Sequence, residues 1–272
     1  FSSYLGTLAL FPAEPGWEAS RDFRRWAFES AALDLALRQA GTNLADALGR
    51  TAAPVRFVHS RRLGDPPDAS VLVRLARQVP GLGFKVDPEP EWDDRVIAEL
   101  AETGAVQTLD LKGHYAGTIV DPGADAELYR RVIDAFPDAW VEDPRITPET
   151  EEIIAACRER VSWDAPLHRL RDITDLAHVP TAVNVKPSRF GRVEELMAVY
   201  DHLEAAGIQA YGGGQGEIGP GRAHIQYLAA LFHPDAPNDV APADYNLAEP
   251  PADVPGTPLA VHTAATGFRL TD

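Results

Sequence analysis

Short β-branched or apolar runs alternate with amphipathic stretches along most of this chain, at intervals of roughly 20 to 30 residues. The runs predict strands at 55–59, 83–87, 106–112, 139–142, 161–164, 182–186 and 208–211. The amphipathic stretches predict helices near 21–39, 71–78, 92–101, 126–136, 148–158, 192–206 and 222–232. Repeated strand–helix alternation of this kind favours a parallel sheet with right-handed crossovers.

Polar residues follow nearly all of the predicted strands, which favours a closed barrel over an open sheet. In a barrel the strand ends converge on one mouth, whereas in an open sheet they spread along an edge. The predicted fold class is therefore α/β, a TIM-type (β/α)7–8 barrel. We expect residues 1–20 to form an irregular N-terminal segment, 21–246 the barrel, and 247–272 a C-terminal tail rich in proline and alanine.

The overall charge restricts the partners of this chain. There are 41 acidic and 25 basic side chains, for a net charge of −16, so nucleic acid is not an expected partner. No apolar run approaches the ~18 residues of a membrane span and no secretory leader is evident, so no membrane partner is expected. The single cysteine, Cys157, fits a reducing cytoplasm, which is the predicted location.

Three consecutive predicted strands end in acids, namely Asp110, Glu142 and Asp164. On adjacent barrel strands these carboxylates would form an oxygen-rich pocket, and they would repel one another without a cation. Carboxylate ligands suit Mg²⁺, or Mn²⁺, with positions left open for a substrate. The alternative is that each acid caps a helix or pairs with an arginine.

Two lysines frame this trio, Lys85 on the strand before it and Lys186 on the strand after it. A desolvated lysine near a divalent cation favours the neutral amine, which prepares it as a base. On opposite sides of the mouth, the two amines would address opposite faces of one bound carbon. The alternative is that both lysines only neutralise the acids.

This order of residues resembles the enolase superfamily, in particular its muconate-lactonising and o-succinylbenzoate synthase-like branch. The resemblance spans residues 24 to 246 and includes AFESAALDLALRQAG at 27–41 and NVKPS at 184–188. It implies that Asp110, Glu142 and Asp164 are the metal ligands and that Lys85 and Lys186 are the acid/base pair. The implied reaction is abstraction of a proton α to a carboxylate through an enediolate, in a racemase, epimerase, cycloisomerase or dehydratase that acts on a small carboxylate.

The sequence also departs from the branch. Gly83 stands where the branch usually carries an additional lysine, and Lys112 stands where asparagine is common, beside the predicted metal. The capping domain that precedes the barrel in this family is expected to be largely absent, with only residues 1–20 in its place. We expect Lys112 and Asn184 to contact the substrate.

A glycine-rich segment follows the seventh predicted strand. Gly214, Gly216 and Gly219 match the dinucleotide-binding pattern G-x-G-x-x-G, but such a domain normally begins with this turn rather than reaching it after seven strands. The family resemblance instead implies a loop whose Gln215 and Glu217 face the substrate. A third possibility is that the glycines only permit a tight turn.

Three functional hypotheses follow from these patterns. The first is a metal-dependent enzyme of the kind that the resemblance implies. The second is a non-catalytic barrel that binds a metal or ligand, which Lys112 would favour if it pointed into the metal pocket. The third is a nucleotide-binding oxidoreductase. A homo-oligomer is an open expectation under all three.

Overall fold

The computed structural model describes residues 19–118 and 121–271 of the chain. Within them the strands are β1 (Val58–Arg61), β2 (Gly83–Val86), β3 (Val106–Asp110), β4 (Trp140–Glu142), β5 (Val161–Trp163), β6 (Ala182–Val185) and β7 (Gln209–Gly212). The α-helices are α1 (Ala19–Gln39), α2 (Leu44–Leu48), α3 (Ser70–Gln78), α4 (Asp94–Ala101), α5 (Ala126–Ala135), α6 (Glu151–Ala156), α7 (Leu170–Thr174), α8 (Pro187–Phe190), α9 (Val193–Ala206) and α10 (Pro220–Phe232). Two short 3₁₀ helices span Arg158–Arg160 and Ala243–Asn246.

The sheet is parallel throughout, and its strands pair in sequential order from β1 to β7. The predicted parallel α/β fold is therefore confirmed, and the curled sheet with its outer helices is barrel-like. Among the described residues the ladder contains seven strands. No helix in this part of the chain has the length and apolar character needed to cross a membrane.

Capping residues in the sequence determine where the helices begin and end. Asp93 accepts a hydrogen bond from the main-chain N–H of Val96 at 2.9 Å, which starts α4. Helix α9 ends at Gly207, whose φ of 68° lies in the left-handed region that glycine adopts without strain. The apolar faces of these helices are buried against the sheet, as the helical spacing predicts.

The first strand differs from the prediction. The run at 55–59 was predicted as the first strand, but the ladder begins at Val58 and continues to Arg61. Val55 instead forms an antiparallel bridge with Leu259, and Phe57 forms a parallel bridge with Asn238. The apolar residues before Val58 thus join the sheet to the C-terminal part of the chain.

Asn238 lies between the two outer strands of the sheet. Its main-chain carbonyl accepts from Val58 N at 2.8 Å, and Asp239 N donates to Gly212 O at 2.7 Å. This short segment therefore hydrogen-bonds to both β7 and β1, the two outer strands of the sheet. The Asn238 side chain is fully buried, and its Oδ1 accepts from Gly212 N at 2.7 Å. Its Nδ2 lies 2.9 Å from each of three main-chain carbonyls, those of Arg56, His233 and Ala236.

Replacing Asn238 by alanine is expected to lower the free energy of unfolding by about 3 kcal/mol or more, because several buried main-chain groups lose their partners. Chemical denaturation followed by circular dichroism measures this loss. Asp235→Ala, at an exposed position of the same loop, is the control and is expected to change stability by less than about 0.5 kcal/mol. Equal stability of the two variants would contradict a joining role for Asn238.

Candidate active site

The three predicted metal ligands meet at the carboxyl ends of neighbouring strands. Asp110 and Glu142 are the last residues of β3 and β4 and lie directly opposite each other in the ladder. Asp164 follows the last residue of β5. Each residue is no more than 1% exposed, and one carboxylate oxygen from each lies within 4.8 Å of the others. The sequence prediction that these acids converge is confirmed.

Cationic side chains surround this acidic triad. Lys85 contacts Glu142 Oε1 and lies 3.0 Å from Asp110 Oδ2. Lys186 Nζ donates to Asp164 Oδ2 at 2.8 Å. Arg189, on α8, donates to Asp164 Oδ1 at 2.7 Å. These pairs offset the repulsion among three desolvated carboxylates, whose burial would otherwise cost several kcal/mol each.

Glu142 is the acid whose charge is least compensated. Burial raises the pKa of Glu142 to about 8, and the attraction of Lys85 opposes this only in part. Burial acts in the same direction on Asp110, but Lys85 and Lys112 outweigh it and hold the pKa of that carboxyl well below its usual range. Lys186 and Arg189 likewise lower the pKa of Asp164 against the effect of burial. Glu142 therefore has the highest pKa of the three acids.

The triad has the chemistry of a divalent-metal site. Around octahedral Mg²⁺ the ligand oxygens lie roughly 3 to 4 Å apart, so the present separation closes with small rotations of the side chains. Hard carboxylate oxygens from three strands, in a pocket of low solvent access, are ligands that Mg²⁺ and Mn²⁺ prefer. Asp110, Glu142 and Asp164 therefore fit the cation that the sequence implies.

The two predicted acid/base lysines lie on opposite sides of the triad, on β2 and directly after β6. Lys85 is 2% exposed and Lys186 is 7% exposed. Burial would lower the pKa of Lys85, but Asp110 and Glu142 raise it well above its ordinary value. Space for Lys186 depends on Gly213, because a Cβ atom there would lie 2.8 Å from Lys186 Cε.

Lys112 reaches the edge of the triad. Its Nζ contacts Asp110 Oδ2 and lies 3.4 Å from Asp87 Oδ1, and it pairs with neither Glu142 nor Asp164. Its φ of 51° is unusual for a residue with a side chain. At Gly83 a Cβ atom would lie 2.5 Å from Gln107 Cδ, so Gln107 fills the space that a larger residue would need.

Two contacts of the triad were not predicted from the sequence. Tyr211, on β7, donates its hydroxyl hydrogen to Glu142 Oε2 and lies 2.8 Å from Ser162 Oγ. Asn184 Nδ2 also lies 3.2 Å from Glu142 Oε2. Asn184, which was predicted to contact the substrate, therefore contacts a candidate metal ligand. Asn184 on β6 lies opposite Tyr211 on β7 in the ladder. Successive side chains of a strand point to opposite faces of the sheet, and this alternation along β7 is the sequence pattern that could have identified Tyr211.

Asp143 is a further residue that the sequence did not single out. It is fully buried with a φ of 49°, and its carboxylate accepts from Asp164 N at 2.8 Å and from Ala165 N at 2.7 Å. Burial and repulsion from Asp164 raise the pKa of Asp143 to about 7. Asp143 thus fixes the main chain that carries the third acid of the triad.

The loop after β7 lies at the rim of the mouth. Gln215 and Glu217 line a cleft of about 350 Å³ between this loop and α1. Glu217 accepts from Ser188 Oγ at 2.7 Å, and no hydrogen bond joins either loop residue to the triad. The dinucleotide interpretation of Gly214 is not supported, because the sequential strand order lacks the reversal at which such ligands bind.

Two models of one protein family match this chain. The family model described as "Domain of unknown function (DUF8230) C-terminal domain" matches residues 51–247. The model described as "Domain of unknown function (DUF8230) N-terminal domain" matches residues 1–47. Both descriptions leave the function of the family open.

Curated relatives confirm the resemblance to the enolase superfamily. The chain is 26% identical over 232 residues to o-succinylbenzoate synthase of Geobacillus stearothermophilus, covering 80% of this chain and 59% of the relative. It is 26% identical over 226 residues to N-succinylamino acid racemase of Thermus thermophilus, covering 79% and 58%. The chain thus spans less than two thirds of the length of these relatives.

Solved structures share the fold. A protein from Enterococcus faecalis described as an unknown member of the enolase superfamily superposes with a TM-score of 0.63 at 20% identity, covering 80% of this chain and 59% of that chain. A dipeptide epimerase from Methylococcus capsulatus, in complex with Mg and the dipeptide L-Arg-D-Lys, gives a TM-score of 0.60 at 20% identity, with coverages of 88% and 73%. At this identity the likeness is one of fold.

Proposed function

The chain belongs to the DUF8230 family, and from its barrel mouth we propose that it is a divalent-metal-dependent enzyme that abstracts a proton α to a carboxylate. One observation carries the proposal. Three buried acids, Asp110, Glu142 and Asp164, meet at successive strand ends, and two buried lysines flank them on opposite sides. A structural ion-pair cluster would not require this order on five consecutive strands.

The proposed roles follow from position. Asp110, Glu142 and Asp164 would hold Mg²⁺ or Mn²⁺, which supplies positive charge to stabilise the enediolate form of the substrate. Lys85 and Lys186 would approach the α-carbon from opposite faces. One amine takes the proton, and the other returns it or stabilises charge. Arg189 and Tyr211 would hold Asp164 and Glu142 in place through their direct hydrogen bonds.

The proposed substrates are small carboxylates. The named relatives include a synthase of o-succinylbenzoate, a racemase of N-succinylamino acids and an epimerase of dipeptides. Removal of an α-proton next to a carboxylate is the step that racemisation, epimerisation, cycloisomerisation and dehydration have in common. We therefore propose the shared step and leave the final product open to experiment.

Incubation in deuterated solvent with Mg²⁺ tests the proposal. N-acyl amino acids and dipeptides are the probes, and proton NMR measures the loss of the α-proton signal. We expect loss of that signal for at least one probe, and no loss after chelation of the metal. Unchanged α-proton signals for every probe, with Mg²⁺ bound to the protein, would contradict the proposal.

That contrary result would favour the second candidate, a non-catalytic barrel that binds a metal or a ligand. The observation behind this candidate is the contact between the Lys112 ammonium and Asp110. An ammonium there competes with a metal for one carboxylate. The Lys112 ammonium pairs with neither Glu142 nor Asp164, however, so it competes for only one of the three proposed ligands.

A further inference from the structure

The Asp110 carboxylate is bonded through both of its oxygens. Lys112 Nζ contacts Asp110 Oδ2, and Lys85 Nζ lies 3.0 Å from the same atom. The main-chain N–H of Lys112 donates to Asp110 Oδ1 at 3.2 Å. A divalent ion on Asp110 would bring three cations to one carboxylate, and their mutual repulsion at close range favours the departure of one ammonium group. Metal binding at the triad therefore requires a lysine to move.

Lys112 is the lysine that can move. Lys85 is held by two acids of the triad, since it also contacts Glu142 Oε1, and its side chain is only 3% exposed. The Lys112 side chain is 18% exposed and pairs with a single acid of the triad. The main chain after Lys112 is fixed, because Gly113 N donates to Asp143 O at 2.7 Å. The movement is therefore confined to the Lys112 side chain.

Asp87 offers the Lys112 ammonium a second acceptor. Asp87 follows β2, is 7% exposed, and accepts from Arg62 Nε at 3.0 Å through its Oδ2. Its Oδ1 makes no hydrogen bond within the described part of the chain, although Lys112 Nζ lies only 3.4 Å away. A buried carboxylate oxygen without a partner is destabilising, and a cationic donor satisfies it best. A shift of the ammonium by about 1 Å or less would complete this hydrogen bond.

The use of lysine at position 112 suits such a movement. Of the 25 basic side chains, three are lysines and all others are arginines. A compact ammonium group on a flexible stem passes readily between two carboxylates, whereas the planar guanidinium of arginine binds one carboxylate in a fixed geometry. Lys112 thus has the freedom that an exchange of partners requires, in a chain that elsewhere relies on arginine.

We propose that Lys112 is the counter-cation of Asp110 in the metal-free protein, and that its ammonium group transfers to Asp87 when the triad binds a divalent ion. Asp110 then has a cationic partner in both states, and Asp87 Oδ1 gains a donor on metal binding. Lys112 and Asp87 are positioning residues in this scheme, since they act on the metal site through Asp110. The inference rests on the proposed function, because it requires a metal at the triad.

A double-mutant cycle on metal affinity tests this transfer. Asp87→Asn and Lys112→Met each remove one charge and alter Mn²⁺ affinity through space, but the two effects are independent unless the contact between these residues changes on metal binding. We expect Asp87→Asn to weaken Mn²⁺ binding by a factor about fivefold larger, or more, in the wild-type background than in the Lys112→Met background. The electron paramagnetic resonance signal of free Mn²⁺ measures all four affinities.

Asp134→Asn, the same chemical change at an exposed position on α5, is the matched control, and its effect should be equal in the two backgrounds. The structure of the Mg²⁺-loaded wild-type protein is a second measurement that needs no variant. We expect Lys112 Nζ to lie about 2.7 to 2.9 Å from Asp87 Oδ1 there, and beyond hydrogen-bonding distance of Asp110 Oδ2.

A ratio of about twofold or less between the two effects of Asp87→Asn is what independent charges give, and it would overturn the inference. A Lys112 ammonium that still contacts Asp110 beside the bound ion would overturn it as well. Deuterium exchange of substrate α-protons separates these outcomes from failure of the proposed function. Exchange without coupling between Asp87 and Lys112 removes the transfer alone, whereas coupling without exchange removes the proton-abstraction chemistry alone. A wild-type protein that binds no Mn²⁺ would contradict both.

Discussion

Replacing Lys186 by alanine is expected to slow exchange of the substrate α-proton with solvent by about a thousandfold or more, because the amine that exchanges this proton is removed. Lys186 is buried beside Asp164 and faces the space between β6 and β7 that Gly213 leaves open. Proton NMR in deuterated solvent measures the rate on whichever probe the wild-type protein exchanges. Metal affinity is expected to stay within about tenfold, since Arg189 still pairs with Asp164.

Lys186→Arg provides a stringent control for this prediction. The guanidinium keeps the positive charge next to Asp164 but does not deprotonate at neutral pH, so it cannot act as a base. We expect this variant to be as inactive as Lys186→Ala while binding metal. Arg130→Ala, at an exposed position on α5, should exchange at the wild-type rate. Wild-type exchange in Lys186→Ala would refute the assignment of Lys186.

Replacing Glu142 by glutamine is expected to weaken Mn²⁺ binding by about a hundredfold or more, because an amide oxygen replaces an ionised ligand. Glu142 lies between Asp110 and Asp164 in strand order, and one oxygen of each acid lies within 4.8 Å of the others. The electron paramagnetic resonance signal of free Mn²⁺ measures the affinity directly. α-Proton exchange should be lost together with the metal.

Glu152→Gln is the matched control, since it makes the same chemical change on the exposed side of α6. Its Mn²⁺ affinity should equal that of the wild-type protein. Circular dichroism verifies that Glu142→Gln still folds, as the amide oxygen can accept from Tyr211 and Asn184. Unchanged Mn²⁺ affinity in folded Glu142→Gln would show that the ion binds elsewhere.

The sequence predicted the acidic triad because strand ends are defined by local patterns. Asp110, Glu142 and Asp164 each follow a short apolar run, and parallel strands bring such ends together without any further information. Lys85 and Lys186 were found in the same way. The alternation of apolar runs with helices and the order of the strands were therefore enough to predict these five residues.

Contacts between distant segments were not predictable from those patterns. Asn238 bridges β7 and β1 from a segment without strand periodicity, and its role depends on main-chain groups supplied by other parts of the chain. Arg62 meets Asp87 because β1 and β2 pair in one particular register. Lys112 was recognised as unusual from its position, but only the three-dimensional arrangement identified Asp87 as its second partner.

Crystallography of the Mn²⁺-loaded protein with a ligand that undergoes exchange tests the central claim most directly. We expect one anomalous peak with oxygens of Asp110, Glu142 and Asp164 at about 2.0 to 2.3 Å. The ligand carboxylate should reach the ion, and its α-carbon should lie between Lys85 and Lys186. A metal peak away from the triad, or a ligand α-carbon out of reach of both lysines, would contradict the account.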